Sequence, residues 1–332
     1  MPRVVVLSTG GTIASRRDER GAGFAKDDAN ALLARLPVDP GVALHGVDVF
    51  CLGSFLLTPW DMREVARQVA AALADPDVLG VVVTHGTDSM EETAYLTELF
   101  HADPRPVVFT GAQRPADAPD SDGPRNLADA ITVAAARTAR ERGTLITFDG
   151  RIFAARGSRK AHTVAPAAFA APDGGPIGWV LDGAVEVSAT PARLPALDLS
   201  AFELDGVRVD AVACYPGTDT VALDAVAGAG ATGVVLEATG AGNANPEVRD
   251  AVARLTDARV VVALSTRVHA GPVVELYGNG GGMDLVEAGA VPTGNLRTSQ
   301  ARMLLTALLG CHRDPARVRA ELRARSFATE RI

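Results

Sequence analysis

The chain has 332 residues, enough for two domains, with the 47% hydrophobic and 22% charged residues of a globular protein that packs a core. A net charge of −8 without a basic cluster argues against nucleic acid as a partner, and no apolar stretch approaches the roughly 20 residues of a membrane span. Three scattered cysteines (Cys51, Cys214, Cys311) and six histidines without ligand spacing argue against a disulfide framework and against a metal site.

Strand and helix signals alternate from the start. The run from Val4 to Leu7 predicts a buried strand over 3–8 that enters the turn Thr9-Gly10-Gly11-Thr12. No signal-peptide pattern precedes Arg3, so a cytoplasmic location is expected. The polar stretch Arg16–Asp28 reads as mobile, and a strand is expected at 47–52. Thr58-Pro59 opens a helix whose apolar residues Met62, Val65, Val69 and Leu73 recur at helical spacing. A strand over 78–84 runs into His85-Gly86-Thr87-Asp88. Ser89-Met90-Glu91-Glu92 then reads as a capping box, with Ser89 at the cap and Glu92 three residues on. A strand at 106–110, a Pro- and Asp-rich loop at 112–124 and a long helix ending near Gly143 follow, then strands at 144–149 and 151–155.

The segment Ala189–Gly206 reads as a linker. Beyond it the pattern resumes with strands at 207–214, 233–237 and 259–264, helices at 219–229 and 246–257, a Gly-rich loop at 270–296 and two terminal helices. This alternation predicts an α/β fold: a larger N-terminal flavodoxin-like parallel-sheet domain over 1–188, a linker over 189–206 and a smaller C-terminal α/β domain over 207–332.

In open parallel sheets ligands bind beyond the carboxyl ends of the strands. That rule places Thr9, Thr12, Thr87 and Asp88 where chemistry is expected. Gly10 and Gly11 allow tight backbone geometry and close approach of a ligand, and Thr12 presents a hydroxyl that needs a base or an electrostatic partner to become a nucleophile. Equally, Thr9–Thr12 could simply turn a strand into a loop; it is not a GxGxxG dinucleotide fingerprint. Asp88, at a helix start, stays ionised and could grip a substrate ammonium, or be a plain helix-start residue. His85 reads as a packing residue beneath its turn. Lys160, which shares the chain with only one other lysine, Lys26, could poise Thr87 or take its proton through water; it could also sit in a solvated basic loop.

At these residues the chain resembles the bacterial-type L-asparaginases, the asparaginase/glutaminase family. TGGTI at 9–13 and THGTDSMEETAY at 84–95 carry the resemblance, with TGAQRP at 110–115, SDGPRNL at 121–127, the region around Lys160 and GNAN at 242–245 in the same order. The resemblance implies hydrolysis of the side-chain amide of L-asparagine to aspartate and ammonia, without metal or cofactor. It implies Thr12 as the nucleophile forming an acyl-enzyme, Thr87, Asp88 and Lys160 as a second catalytic set, and an oxyanion hole of backbone N–H groups at the two turns. Substrate contacts are implied for Gly11, Ser54, Thr87, Asp88, Ala112 and Asn245. Ser54 would hold the α-carboxylate and Asp88 the α-ammonium, and Asn245 would come from a neighbouring subunit of a homodimer or homotetramer with shared active sites.

The chain departs from the family in three places. The flap after TGGT lacks the usual tyrosine; Phe24 is the nearest aromatic there and Tyr277 is a speculative stand-in. Phe55 follows Ser54 where glutamine is common, which would narrow the pocket in favour of asparagine. Glu275 and Glu287 both qualify as a carboxylate reaching a neighbouring site. Two other readings stay open: an amino-acid-binding sensor module with little turnover, and an amidase acting on a different amide.

Overall fold

In the computed structural model, which describes residues Met1–Phe327, the chain divides into a unit over Met1–Ala196 and a unit over Leu197–Ile332. The first contains β1 (Arg3–Gly10), the hairpin β2 (Ser15–Arg17) and β3 (Gly23–Ala25), α1 (Ala29–Leu33), β4 (Ala43–Leu52), α2 (Pro59–Leu73), β5 (Val78–Thr84), α3 (Met90–Phe100), β6 (Val107–Thr110), α4 (Gly123–Ala135), β7 (Thr144–Phe148) and β8 (Arg151–Ala154). The short pair β9 (Arg159–Lys160) and β10 (Phe169–Ala170) and the hairpin β11 (Gly178–Leu181) and β12 (Ala184–Val187) complete it.

Its main sheet runs β12-β11-β8-β7-β6-β5-β1-β4. The five long strands β4-β1-β5-β6-β7 are parallel and stand in the order second, first, third, fourth, fifth. That is the flavodoxin-like order, with its switch point between β1 and β5. The strands beyond β7 extend one edge in antiparallel fashion. Two-residue periodicity divides the core. Val4, Val6, Val82 and Val108 pack with Leu127 and Ile131 of α4, while Val5, Leu7, Val81, Val83 and Phe109 pack with Val65 and Val69 of α2 and Met90 of α3. A strand buried on both faces needs the unbroken apolar run that β1 carries.

The second unit carries the parallel sheet β13 (Val209–Ala213), β14 (Gly233–Ala238), β15 (Val261–Thr266) and β16 (Val291–Pro292), in that order. Its helices are α5 (Val221–Gly228), α6 (Pro246–Asp257), α7 (Gly282–Glu287), α8 (Thr298–Cys311) and α9 (Pro315–Ser326). Val234, Leu236, Val262 and Leu264 pack against Val248, Val252 and Leu255 of α6.

Several expectations are corrected. Within the stretch over 16–28, Arg16–Ala25 belongs to the β2–β3 hairpin, whose exit is held by Lys26 and Asp27 N–H groups on Ala14 O at 2.8 and 3.0 Å and by Arg16 on buried Asp27 at 2.8 Å. The helix from Gly123 stops at Ala135, where Ala136 turns extended; Gly143 has the positive φ (74°) of a helix end but forms the turn into β7. Asp182-Gly183, both at positive φ, closes the hairpin of β11 and β12; Asp-Gly between two apolar runs is a direct hairpin signal. The loop at 270–296 holds α7 and β16.

The switch point depends on glycine. A Cβ on Gly11 (φ +77°) would stand 2.4 Å from Gly86 Cα, and a Cβ on Gly86 would stand 2.6 Å from Ser54 Oγ. Gly11→Ala is therefore expected to cost about 2–5 kcal/mol, combining overpacking with a left-handed backbone. Gly21→Ala, also left-handed but with open space around the missing Cβ, is expected to cost about 1–2 kcal/mol. Denaturant titration of the two variants measures the difference.

Candidate active site

The site begins where β1 and β5 stop. Gly11 donates its N–H to Leu52 O at 2.8 Å, which seats the first turn against the end of β4. Thr12 then starts a short 3-10 turn, Thr12–Ala14. Thr9 points elsewhere: its hydroxyl is buried and donates to Thr84 O at 2.8 Å, tying β1 to β5, so it is a brace rather than a site residue. Ser54, buried after β4, links the two turns. Its Oγ accepts the Asp88 N–H at 3.2 Å and its carbonyl accepts the Ser89 hydroxyl at 2.7 Å. The expected capping box at Ser89 consequently does not form, because the hydroxyl that would cap α3 is used on Ser54.

Lys160 comes from β9, which is held in place by Glu91 of α3 accepting the Lys160 backbone N–H at 2.5 Å. Its Nζ donates to Thr87 Oγ1 at 2.9 Å and to Asp88 Oδ1 at 2.6 Å. The lysine side chain is 18% exposed and the aspartate 55%, so the ion pair stands at the edge of solvent, where pairing contributes little stability. The pair aims Lys160 Nζ at the Thr87 hydroxyl.

A cleft of about 620 Å³ opens above these turns. Its floor is Gly11, Thr12, Ser54, Gly86, Thr87 and Asp88, and its rim includes Phe24 of the β2–β3 hairpin, Phe55, Leu56 and Arg17. Two hydroxyls, a serine and a carboxylate at a sheet switch point make a hydrolytic or acyl-transfer site.

The asparaginase N-terminal model matches residues 3–193, and the glutaminase/asparaginase C-terminal domain matches 208–322. The chain belongs to the asparaginase family. It is 40% identical over 326 residues to the probable L-asparaginase of Deinococcus radiodurans, with 96% of each chain covered. It is 32% identical to a glutaminase-asparaginase of Pseudomonas fluorescens, covering 82% of this chain and 78% of that one. The crystal structure of a probable cytoplasmic L-asparaginase from Campylobacter jejuni superposes with a TM-score of 0.86 at 29% identity, covering 97% of this chain and 99% of that one.

Of the residues that the asparaginase resemblance singles out, Gly11, Thr12, Ser54, Thr87 and Asp88 share the cleft and Lys160 touches two of them. Ala112 is buried and packs in the core cluster of Ile13, Ala14 and Leu127. Asn245 lies in the second unit, where its Oδ1 accepts the Val248 N–H at 2.9 Å as the cap of α6 and its Nδ2 donates to Thr218 O at 2.8 Å. Tyr277, Glu275 and Glu287 also belong to that unit; Tyr277 and Glu287 are exposed and Glu275 is half-buried. Sequence reasoning passed over Gln113, which contacts Thr87, although it stands inside the TGAQRP motif. It also passed over Arg17, which the hairpin carries to the rim.

His85 lies beneath the second turn with 0% exposure. Its Nδ1–H donates to Gly86 O at 2.7 Å, its ring is tilted against Phe109 with centroids 6.0 Å apart, and its Nε2 is buried without a hydrogen-bond partner among the described residues. Burial lowers its pKa from 6.5 to about 4, so the folded protein holds it neutral. Below pH 6.5 the unfolded chain takes up a proton that the folded chain refuses until about pH 4. Stability from this residue is thus full above pH 6.5 and falls as pH drops towards 4. Between pH 6.5 and 5 the loss is about 2 kcal/mol. His85→Asn, which keeps a donor near Gly86 O and does not titrate, is expected to flatten this slope in urea titrations across that range.

Proposed function

We propose that the chain hydrolyses the side-chain amide of L-asparagine to L-aspartate and ammonia through an acyl-enzyme on Thr12. The observation that carries this reading is the convergence of Thr12, Ser54 and Asp88 in one cleft, with Lys160 on Thr87 at 2.9 Å. The names of the relatives support the same substrate.

In this mechanism Asp88 receives the substrate ammonium, and the Ser54 hydroxyl, whose oxygen already accepts the Asp88 N–H, spends its own proton on the α-carboxylate. Thr12 Oγ1 attacks the amide carbon. The Thr12 hydroxyl proton passes to the amide nitrogen, the C–N bond breaks, ammonia leaves, and an ester to Thr12 remains. Water then attacks that ester as its proton passes to the departing Thr12 oxygen, with Thr87 and Lys160 orienting that transfer, and aspartate and free Thr12 are released. With the Gly11 N–H bound to Leu52 and the Asp88 N–H bound to Ser54, the oxyanion donors are the amides of Thr12 and Thr87. Asn245 serves a neighbouring copy in a homodimer or homotetramer through the second proton of Nδ2, the first being held by Thr218 O.

Ammonia release from L-asparagine is the test. Thr12→Ala is expected to lower kcat by at least about a thousandfold, and Lys160→Met by about a hundredfold or more. A folded wild type that binds aspartate and releases no ammonia from asparagine overturns the reading. Phe55 is 74% exposed and forms part of the rim. Phe55→Gln is expected to raise the efficiency on L-glutamine relative to L-asparagine by about tenfold, the scale of one methylene in an apolar pocket. An unchanged ratio in competition assays removes Phe55 from specificity.

A further inference from the structure

The TGAQRP and SDGPRNL motifs have no part in the mechanism above, yet they build one continuous bracket. Asp122, before α4, accepts the backbone N–H of Gln113 at 3.0 and 3.1 Å on its two oxygens and that of Arg114 at 2.9 Å. Asn126, buried on the first turns of α4, donates from Nδ2 to Asp122 at 3.1 Å and to Gly111 O at 3.0 Å, and its Oδ1 accepts the Asp149 N–H at 3.2 Å. The backbone of Gln113 is therefore fixed from the carboxyl ends of β6 and β7.

The Gln113 side chain then spans two segments far apart in sequence. Its Nε2 donates to His162 O at 3.4 Å, two residues beyond Lys160, and its Oε1 accepts the Thr87 hydroxyl at 3.3 Å. The amide direction follows from its partners: a carbonyl only accepts, so the nitrogen faces His162 and the oxygen faces Thr87. A threonine has one hydroxyl proton. Lys160, as an ammonium, has donors and no acceptor, and it donates to Thr87. Gln113 takes the proton that Thr87 cannot give to an ammonium.

We propose that Gln113 is a positioning residue that sets the direction of the Thr87 hydroxyl and thereby the proton balance of the Thr87–Lys160 pair. With Gln113 in place the Thr87 lone pairs face Lys160 and favour its ammonium form. Without that acceptor the hydroxyl turns and donates to a neutral amine. Charged and titratable groups near Lys160 include Asp88, in contact with Nζ, Glu91 on its backbone N–H, Arg159 beside it on β9, and His162, whose Nδ1 accepts the N–H groups of Val164 and Ala165.

The presence of only two lysines makes Lys160 directly observable. In protein labelled with 15N-lysine, two side-chain nitrogen signals titrate, and Lys26→Arg assigns them. Gln113→Met, which removes the acceptor, is expected to lower the Lys160 midpoint by about half a pH unit; Gln113→Glu, a stronger acceptor with a negative charge, is expected to raise it by at least as much. In turnover, Gln113→Met is expected to lose about tenfold in kcat with KM nearly unchanged, because the lost interaction orients reacting groups and does not hold substrate. Circular dichroism verifies that both variants fold. A Lys160 midpoint that stays in place or rises in Gln113→Met overturns the proposal, since a bracket that only stabilises the loop has no reason to lower it, whereas the rise in Gln113→Glu also carries the direct attraction of the added charge. The kinetic expectation rests on the asparaginase reading and the titration does not. A wild type without turnover therefore defeats that reading alone, and the midpoints still decide the role of Gln113.

Discussion

The approach of two glycines carries the site. Gly11 and Gly86 lie in the turns that follow β1 and β5, strands side by side at the switch point of the sheet, and neither position has room for a Cβ. Their backbones approach closely enough to exclude a side chain, which draws Thr12 and Thr87 onto one floor. Ser54 closes the same contact from the third direction, because a Cβ on Gly86 would collide with its hydroxyl. The cleft thus results from main-chain packing, and the side chains that line it ride on positions the main chain has already set.

The electrostatics follow from that geometry. Asp88 sits just before α3, where the helix dipole favours a carboxylate, and Lys160 is brought to it by Glu91 of the same helix holding the β9 backbone. One helix therefore supplies both a favourable field at Asp88 and the anchor for its partner. Beneath them His85 is kept neutral by burial, so no second positive charge lies under the turn. The exposed Phe24, Phe55 and Leu56 belong to the rim of the same cleft, an apolar border around a polar floor.

Much of this was legible in the chain. The apolar runs at 4–7 and 81–83 mark strands buried on both faces, because only a fully covered parallel strand dispenses with polar alternation. The glycine-hydroxyl turns at their ends mark the place for chemistry. Other features were hidden by rules that hold locally and were overruled by neighbours. Ser89 and Glu92 have the spacing of a capping box, but the Ser54 carbonyl, distant in sequence, takes the hydroxyl. Gly143 has the residue type of a helix end and serves a strand entry instead. Asp182-Gly183 announced its hairpin and was passed over inside a stretch without periodicity.

By itself, the sequence determined which residues are chemically competent and which strands are central, since composition and periodicity depend on near neighbours. It also determined the family, because motifs such as TGGTI and THGTDSMEETAY survive as strings. Only the tertiary structure decided that Lys160 faces both Thr87 and Asp88, that Thr9 is spent on a brace, and that Gln113 spans the Thr87 turn and the segment following Lys160. Each of these is a contact between residues far apart in sequence, set by strand order and by where each loop's own hydrogen bonds are satisfied, and a linear string carries no record of either.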